Sequence, residues 1–140
     1  MIDSETKQAL LDRVRRIPIV ETLAMQFGEI GEGTCSLTVP RKIAYDGVFD
    51  SFHGGLLMTV ADSVAAFAVM TQTGPDQVMT TTDMNIRFLA PCVTDVTATA
   101  RVIKLGKTLC PVAVDLFDAD GRPVAVAQVT YMRLDKMPSR

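Results

Sequence analysis

Residues 53–70 read HGGLLMTVADSVAAFAVM. From Leu56 to Met70 nearly every side chain is apolar, and the apolar positions go all the way round a helix instead of forming one stripe. Such a helix has no wet face and needs cover on every side. Gly54 and Gly55 open it, and Thr73-Gly74-Pro75 closes it. Asp62 interrupts its middle. An unpaired carboxylate in apolar surroundings is costly unless it is hydrogen-bonded, paired or protonated. The residue is therefore either satisfied by a neighbour, such as Thr59 or Ser63, or kept for its reactivity.

Downstream of the helix the apolar period changes to two. In 78–89 the even positions Val78, Thr80, Thr82, Met84, Ile86 and Phe88 are the more apolar set, and Ala90-Pro91 ends the strand. Residues 95–105 alternate again, with Val96, Ala98, Ala100 and Val102 on one face. Segments 109–118 and 122–134 form a pair joined by Asp118-Ala119-Asp120-Gly121, a hairpin signal. Upstream, 25–31 and 34–39 are two short strands, and 40–52 is a loop. Ser4 is placed as the N-cap of a first helix over 4–17, which Pro18 ends. Consecutive strands with short turns predict an antiparallel sheet. A strongly curved sheet wrapped around the apolar helix buries most of both, and a second copy is expected to cover the remaining side.

The 140 residues suffice for one ordinary domain. The expected division is an N-terminal helix at 1–19, a core at 20–134 and a tail at 135–140. A net charge of −2 with scattered basic residues argues against nucleic-acid binding. The start, MIDSETKQ, is polar and does not resemble a secretory signal. The uninterrupted apolar run Val64–Met70 is shorter than the roughly 20 residues a bilayer span needs. Cys35, Cys92 and Cys110 are odd in number and lack metal-ligand spacing, so they read as reduced packing residues. With one histidine, no metal site is expected, and the compartment expected is the cytoplasm.

The helix within its sheet is the hot-dog arrangement, an α+β fold. His53-Gly54-Gly55 followed by Leu57, Ala61 and Asp62 resembles the signature of PaaI-type acyl-CoA thioesterases, in which the acid lies nine residues after the histidine. TTDMNIRFLAP resembles the family's strand after the helix, and VIKLGKTLCPVAVDLFDADGRPVAVAQVTYM its last three strands. The likeness covers about 20–133. It implies hydrolysis of an acyl-CoA to free acid and coenzyme A, with no cofactor beyond the coenzyme A of the substrate. It implies Asp62 as base or nucleophile, Gly54 as oxyanion donor with Gly55 beside it, and Thr81 assisting the water. His53 is implied mainly to fix the loop before the helix. The site is implied to lie between two subunits of a homodimer, with a tetramer of two dimers as a further option. Many relatives carry Asn six residues before the histidine, where this chain has Gly47.

The chemistry also has a footing in the residues themselves. A helix start offers unpaired N–H groups and partial positive charge, and glycines let a substrate approach the backbone. A carboxylate in an apolar setting is a stronger base than in water. Phe52, Leu57 and Met58, with Phe67, Met70, Met79 and Met84, suit a hydrophobic acyl group, aliphatic or aromatic. Arg87 and Lys107, with Arg41, Lys42 and Lys104, are the cations considered for the phosphates of coenzyme A. Two other readings stand beside hydrolysis. One is a non-catalytic acyl-CoA-binding protein, which Gly47 favours; the other is a hot-dog hydratase or dehydratase, which the place of His53 disfavours.

Overall fold

The computed structural model describes residues 1–136; of the tail expected at 135–140, residues 137–140 lie outside the described residues. The first helix, α1 (Ser4–Val14), is capped by Asp3, whose side chain accepts from the Thr6 N–H, one residue earlier than Ser4. It stops short of residue 17 because Pro18 opens a second short helix, α2 (Pro18–Thr22). Proline lacks the N–H that a first helical position does not use, so it starts a helix as readily as it ends one.

Next come β1 (Gln26–Gly31) and β2 (Thr34–Val39), a single 3₁₀ turn at Ile43–Tyr45, and the central helix α3 (Gly54–Thr73). The chain finishes with β3 (Val78–Phe88), β4 (Val96–Val102), β5 (Leu109–Phe117) and β6 (Pro123–Leu134). Gly33 turns β1 into β2 with a φ of +77°, and its N–H donates to the buried Thr71 hydroxyl of α3 at 2.7 Å.

All neighbouring strands are antiparallel, in the order β1-β2-β4-β5-β6-β3. The expected hot-dog arrangement is present, with one curved sheet packed against α3. Cys35, Leu37, Val96, Ala98, Val112 and Val114 alternate inward and meet Val60, Ala61, Val64, Ala65 and Ala68 of the helix. The three cysteines are free and buried.

α3 has 20 residues and contains an 18-residue window of mean hydropathy 1.5, which is long and apolar enough to cross a bilayer by length and composition. Here it packs against the inner face of the sheet. It is not buried all round as the sequence suggested: Met58, Thr59, Asp62, Ser63 and Ala66 form a half-buried stripe at helical spacing.

β3 is an edge strand, paired with β6 along one side. Its register slips by one between Thr81 and Asp83, opposite Tyr131 and Thr130. Thr82 is the extra residue of a β-bulge, and a bulge reverses which side chains face the core. Before it Met79 and Thr81 point toward α3; after it Met84 and Ile86 pack into the core. The uniform even-numbered face expected for 78–89 is therefore replaced by two faces joined at Thr82.

Candidate active site

Asp62 lies on the half-buried stripe of α3 and meets two hydroxyls. The Thr81 hydroxyl donates to its Oδ1 at 2.7 Å. The Tyr131 hydroxyl lies 2.8 Å from the same Oδ1 and 2.9 Å from the Asp62 carbonyl oxygen, its one proton shared between the two acceptors. Thr81 and Tyr131 stand directly opposite each other on β3 and β6, so one cross-strand pair supplies both donors. Oδ2 accepts no hydrogen bond among the described residues. Thr59 and Ser63, the local alternatives, do not bond this carboxylate; the Thr59 hydroxyl donates to the Gly55 carbonyl instead.

Tyr131 was absent from the sequence reading. Its signal lay in the alternation of β6, where a tyrosine occupies the inward face two positions after Val129. A buried tyrosine hydroxyl needs a partner inside. Burial pushes its phenol well above the usual range, and the Asp62 carboxylate beside it pushes the same way. The hydroxyl thus keeps its proton and acts as a donor.

The start of α3 is the second half of the site. His53 is the N-cap, and its Nδ1 accepts from the Gly55 N–H at 2.9 Å. The His53 carbonyl accepts from the Leu56 and Leu57 N–H groups. Gly55, expected beside the oxyanion donor, has its own N–H taken by the imidazole. Gly54 remains: its N–H has no partner among the described residues. A side chain at Gly54 would meet the Phe88 ring, with its Cβ 3.3 Å from Cζ. Gly54 opens into a cleft of about 520 Å³ walled by Phe49, Phe52, Leu57, Phe88 and Pro91. Phe52 and Leu57 are thus brought to Gly54, and Met58 lies one helical turn before Asp62 on the half-buried stripe.

The loop leading to His53 is held by Arg41. Its guanidinium forms a bidentate pair with Asp46 and donates to the Val93 and Asp50 carbonyls. The Phe52 N–H donates to the Cys92 carbonyl at 2.8 Å and ties the loop to the segment after β3. Gly47 lies against His53: a Cβ there would sit 3.7 Å from His53 Cα and 3.8 Å from Cδ2. A Cβ at Gly47 would make ordinary van der Waals contact with the cap, and this chain carries no side chain there.

Several expected cations are placed elsewhere. Arg41 serves the loop, and Lys42 donates to the Thr22 carbonyl and lies over the Tyr45 ring. Arg87 is exposed and pairs with Val126 on the outward face of the sheet, away from the cleft. Lys107 stands in the β4–β5 turn near Gln77 and Arg133, at the opposite end of β3 from Phe88 and Gly54. Strand alternation placed Arg87, and loop and turn paths placed Arg41, Lys42 and Lys107; isolated charges in the sequence carry no such information.

The pattern of the thioesterase superfamily matches residues 49–125. Acyl-coenzyme A thioesterase 13 of Homo sapiens is 33% identical over 104 residues, covering 71% of each chain. Its Mus musculus counterpart is 39% identical over 85 residues, 59% of this chain and 58% of that one. Among solved structures, a thioesterase family protein from Silicibacter pomeroyi superposes with a TM-score of 0.84 at 25% identity, over 92% of this chain and 98% of that one. The E. coli PaaI protein from the phenylacetic acid degradation operon shares the fold, with a TM-score of 0.87 at 20% identity over 99% and 100% of the two chains.

The chain belongs to the thioesterase superfamily and has the hot-dog fold. It is a thioester hydrolase.

Proposed function

We propose that this chain hydrolyses acyl-CoA thioesters at a site shared by two copies, one supplying the start of α3 and the other Asp62. The observation carrying this reading is the spacing of the two halves. Gly54 and Asp62 are eight positions apart on one straight helix. At 1.5 Å per residue they are about 12 Å apart along its axis. A reacting carbonyl must lie within about 3 Å of its oxyanion donor and of the attacking water, and that water within about 3 Å of its base, a span of roughly 10 Å at full stretch. One chain cannot meet that requirement with this pair. A two-fold partner packed along the stripe of α3 would bring Asp62 of one copy to Gly54 of the other.

Two further features favour such a pair. β3 leaves eleven residues of edge strand open to another chain. Val48 and Phe49, each 90% exposed, stand on the loop before α3 and suit burial against a partner. A tetramer of two such dimers is compatible with the same edges.

In the proposed reaction the carbonyl oxygen sits on the Gly54 N–H, near the positive end of α3. Asp62 takes a proton from water as its oxygen attacks the carbonyl carbon. The C–S bond then breaks as Asp62 passes that proton to the departing sulfur, which leaves as the thiol of coenzyme A, and the acyl group leaves as the free acid. The apolar cleft beside Gly54 favours a hydrophobic acyl group, aliphatic or aromatic. The chemistry asks for a carboxylate, a water and N–H donors, and for no metal or redox group. A reaction of this kind fits the cytoplasm, where acyl-CoA is made and used.

Thiol release from short, long and aromatic acyl-CoAs tests the proposal, and the expected result is turnover of at least one hydrophobic member. Tight binding of intact acyl-CoA without thiol release would overturn it in favour of a binding role.

A further inference from the structure

We infer that Tyr131 is a positioning residue of this reaction: with Thr81 it pins Oδ1 of Asp62, so that Oδ2 is the oxygen that receives the proton of water. The inference rests on the proposed hydrolysis through Asp62.

Three observations carry it. First, both hydroxyls converge on one oxygen, at 2.7 and 2.8 Å, while Oδ2 accepts nothing among the described residues. Second, the donors differ in freedom. A threonine hydroxyl rotates and can point elsewhere, whereas the Tyr131 hydroxyl ends a rigid ring that is only 7% exposed and fixed within β6. Third, the Tyr131 hydroxyl also reaches the Asp62 carbonyl oxygen at 2.9 Å, so the ring is referenced to the backbone of the residue it orients.

A carboxylate turns about a broad, roughly two-fold torsion. One mobile donor would leave either oxygen facing the reaction. Two donors from a cross-strand pair fix which oxygen is held and which is presented. The buried phenol, kept protonated, remains a donor while Asp62 is ionised.

The test uses the full chain and the acyl-CoA that wild type cleaves best. Tyr131→Phe removes one hydroxyl from a buried site and leaves the ring in place. The expected result is a 10–100-fold fall in kcat, the span of one hydrogen bond to a charged group. KM should stay within about twofold, because binding does not use the lost hydroxyl, and the melting temperature should fall by at most about 5 °C, the cost of one lost hydrogen bond in the fold. In an Asp62→Asn background the same substitution should leave the residual kcat unchanged. Wild-type kcat in Tyr131→Phe overturns the inference, as does a change confined to KM. An equal fall in both backgrounds also overturns it, since that is the mark of a merely structural contact. Failure of the underlying hydrolysis reading looks different: wild type itself releases no thiol, or Asp62→Asn retains full activity, and either result removes both claims.

Discussion

Replacing Asp62 in two ways separates its chemistry from its place in the fold. In Asp62→Asn the amide oxygen can occupy the position of Oδ1 and keep accepting from Thr81 and Tyr131. The amide nitrogen then falls at the Oδ2 position of this half-buried residue, which bonds nothing among the described residues. Stability should change by no more than about 0.5 kcal/mol. In Asp62→Ala the Thr81 hydroxyl loses its acceptor, while Tyr131 keeps the carbonyl oxygen of residue 62. Leaving a half-buried hydroxyl unpaired costs about 1–3 kcal/mol, and alanine returns roughly 0.5 kcal/mol of helix propensity. The net loss of about 1 kcal/mol corresponds to a melting temperature lower by roughly 2–5 °C. Activity should follow a different pattern, with both variants losing at least about 10²-fold in turnover because neither has a general base. Thiol release and thermal unfolding on the same preparations measure both. Near-normal turnover by Asp62→Asn would refute the role of the carboxylate. An Asp62→Asn variant as unstable as Asp62→Ala would refute the hydrogen-bond account.

Other outcomes follow from the loop, the cap and the core. Gly47→Asn should raise turnover without lowering the melting temperature, because a Cβ there meets its nearest atoms at ordinary contact distances of 3.7–3.9 Å and the residue needs no positive φ; a fall in either would count against room for a side chain beside His53. His53→Ala removes the acceptor of the Gly55 N–H and should cost about 1 kcal/mol in thermal unfolding, the usual worth of an N-cap. Arg41→Ala should lower the melting temperature and increase proteolysis within 42–52, since the guanidinium bonds Asp46 and two loop carbonyls. Native protein should give no reaction with a thiol-reactive dye, and unfolded protein three thiols, because Cys35, Cys92 and Cys110 are buried and burial pushes the Cys35 thiol up to about 12.

The central helix and the strands were legible because each rests on a strong period. Gly54–Thr73 and three of the four long strands appear within a residue or two of their expected limits, while β4 ends at Val102, three residues before the expected 105. The failures have local physical causes. Pro18 can end one helix or begin another, and the sequence alone does not say which. The run Thr80-Thr81-Thr82 carries no contrast between faces, so the bulge inside it left no trace in the alternation. The family likeness selected Thr81 where alternation favoured Thr80 and Thr82, and the Thr81 hydroxyl is the one at Asp62. Tyr131 is far from Asp62 in sequence, and a contact across 69 residues has no local signature. Arg41 looked like a surface cation because its partners lie in a loop whose path no periodicity predicts.

The distance between Gly54 and Asp62 along α3 also has a genetic consequence. Under the proposed shared site, a chain blocked at the helix start by Gly54→Val and a chain carrying Asp62→Asn are each inactive alone. Mixed and allowed to exchange partners, they should complement. In a hybrid pair both lesions fall in one site, and the other site is assembled from the intact Gly54 of one chain and the intact Asp62 of its partner.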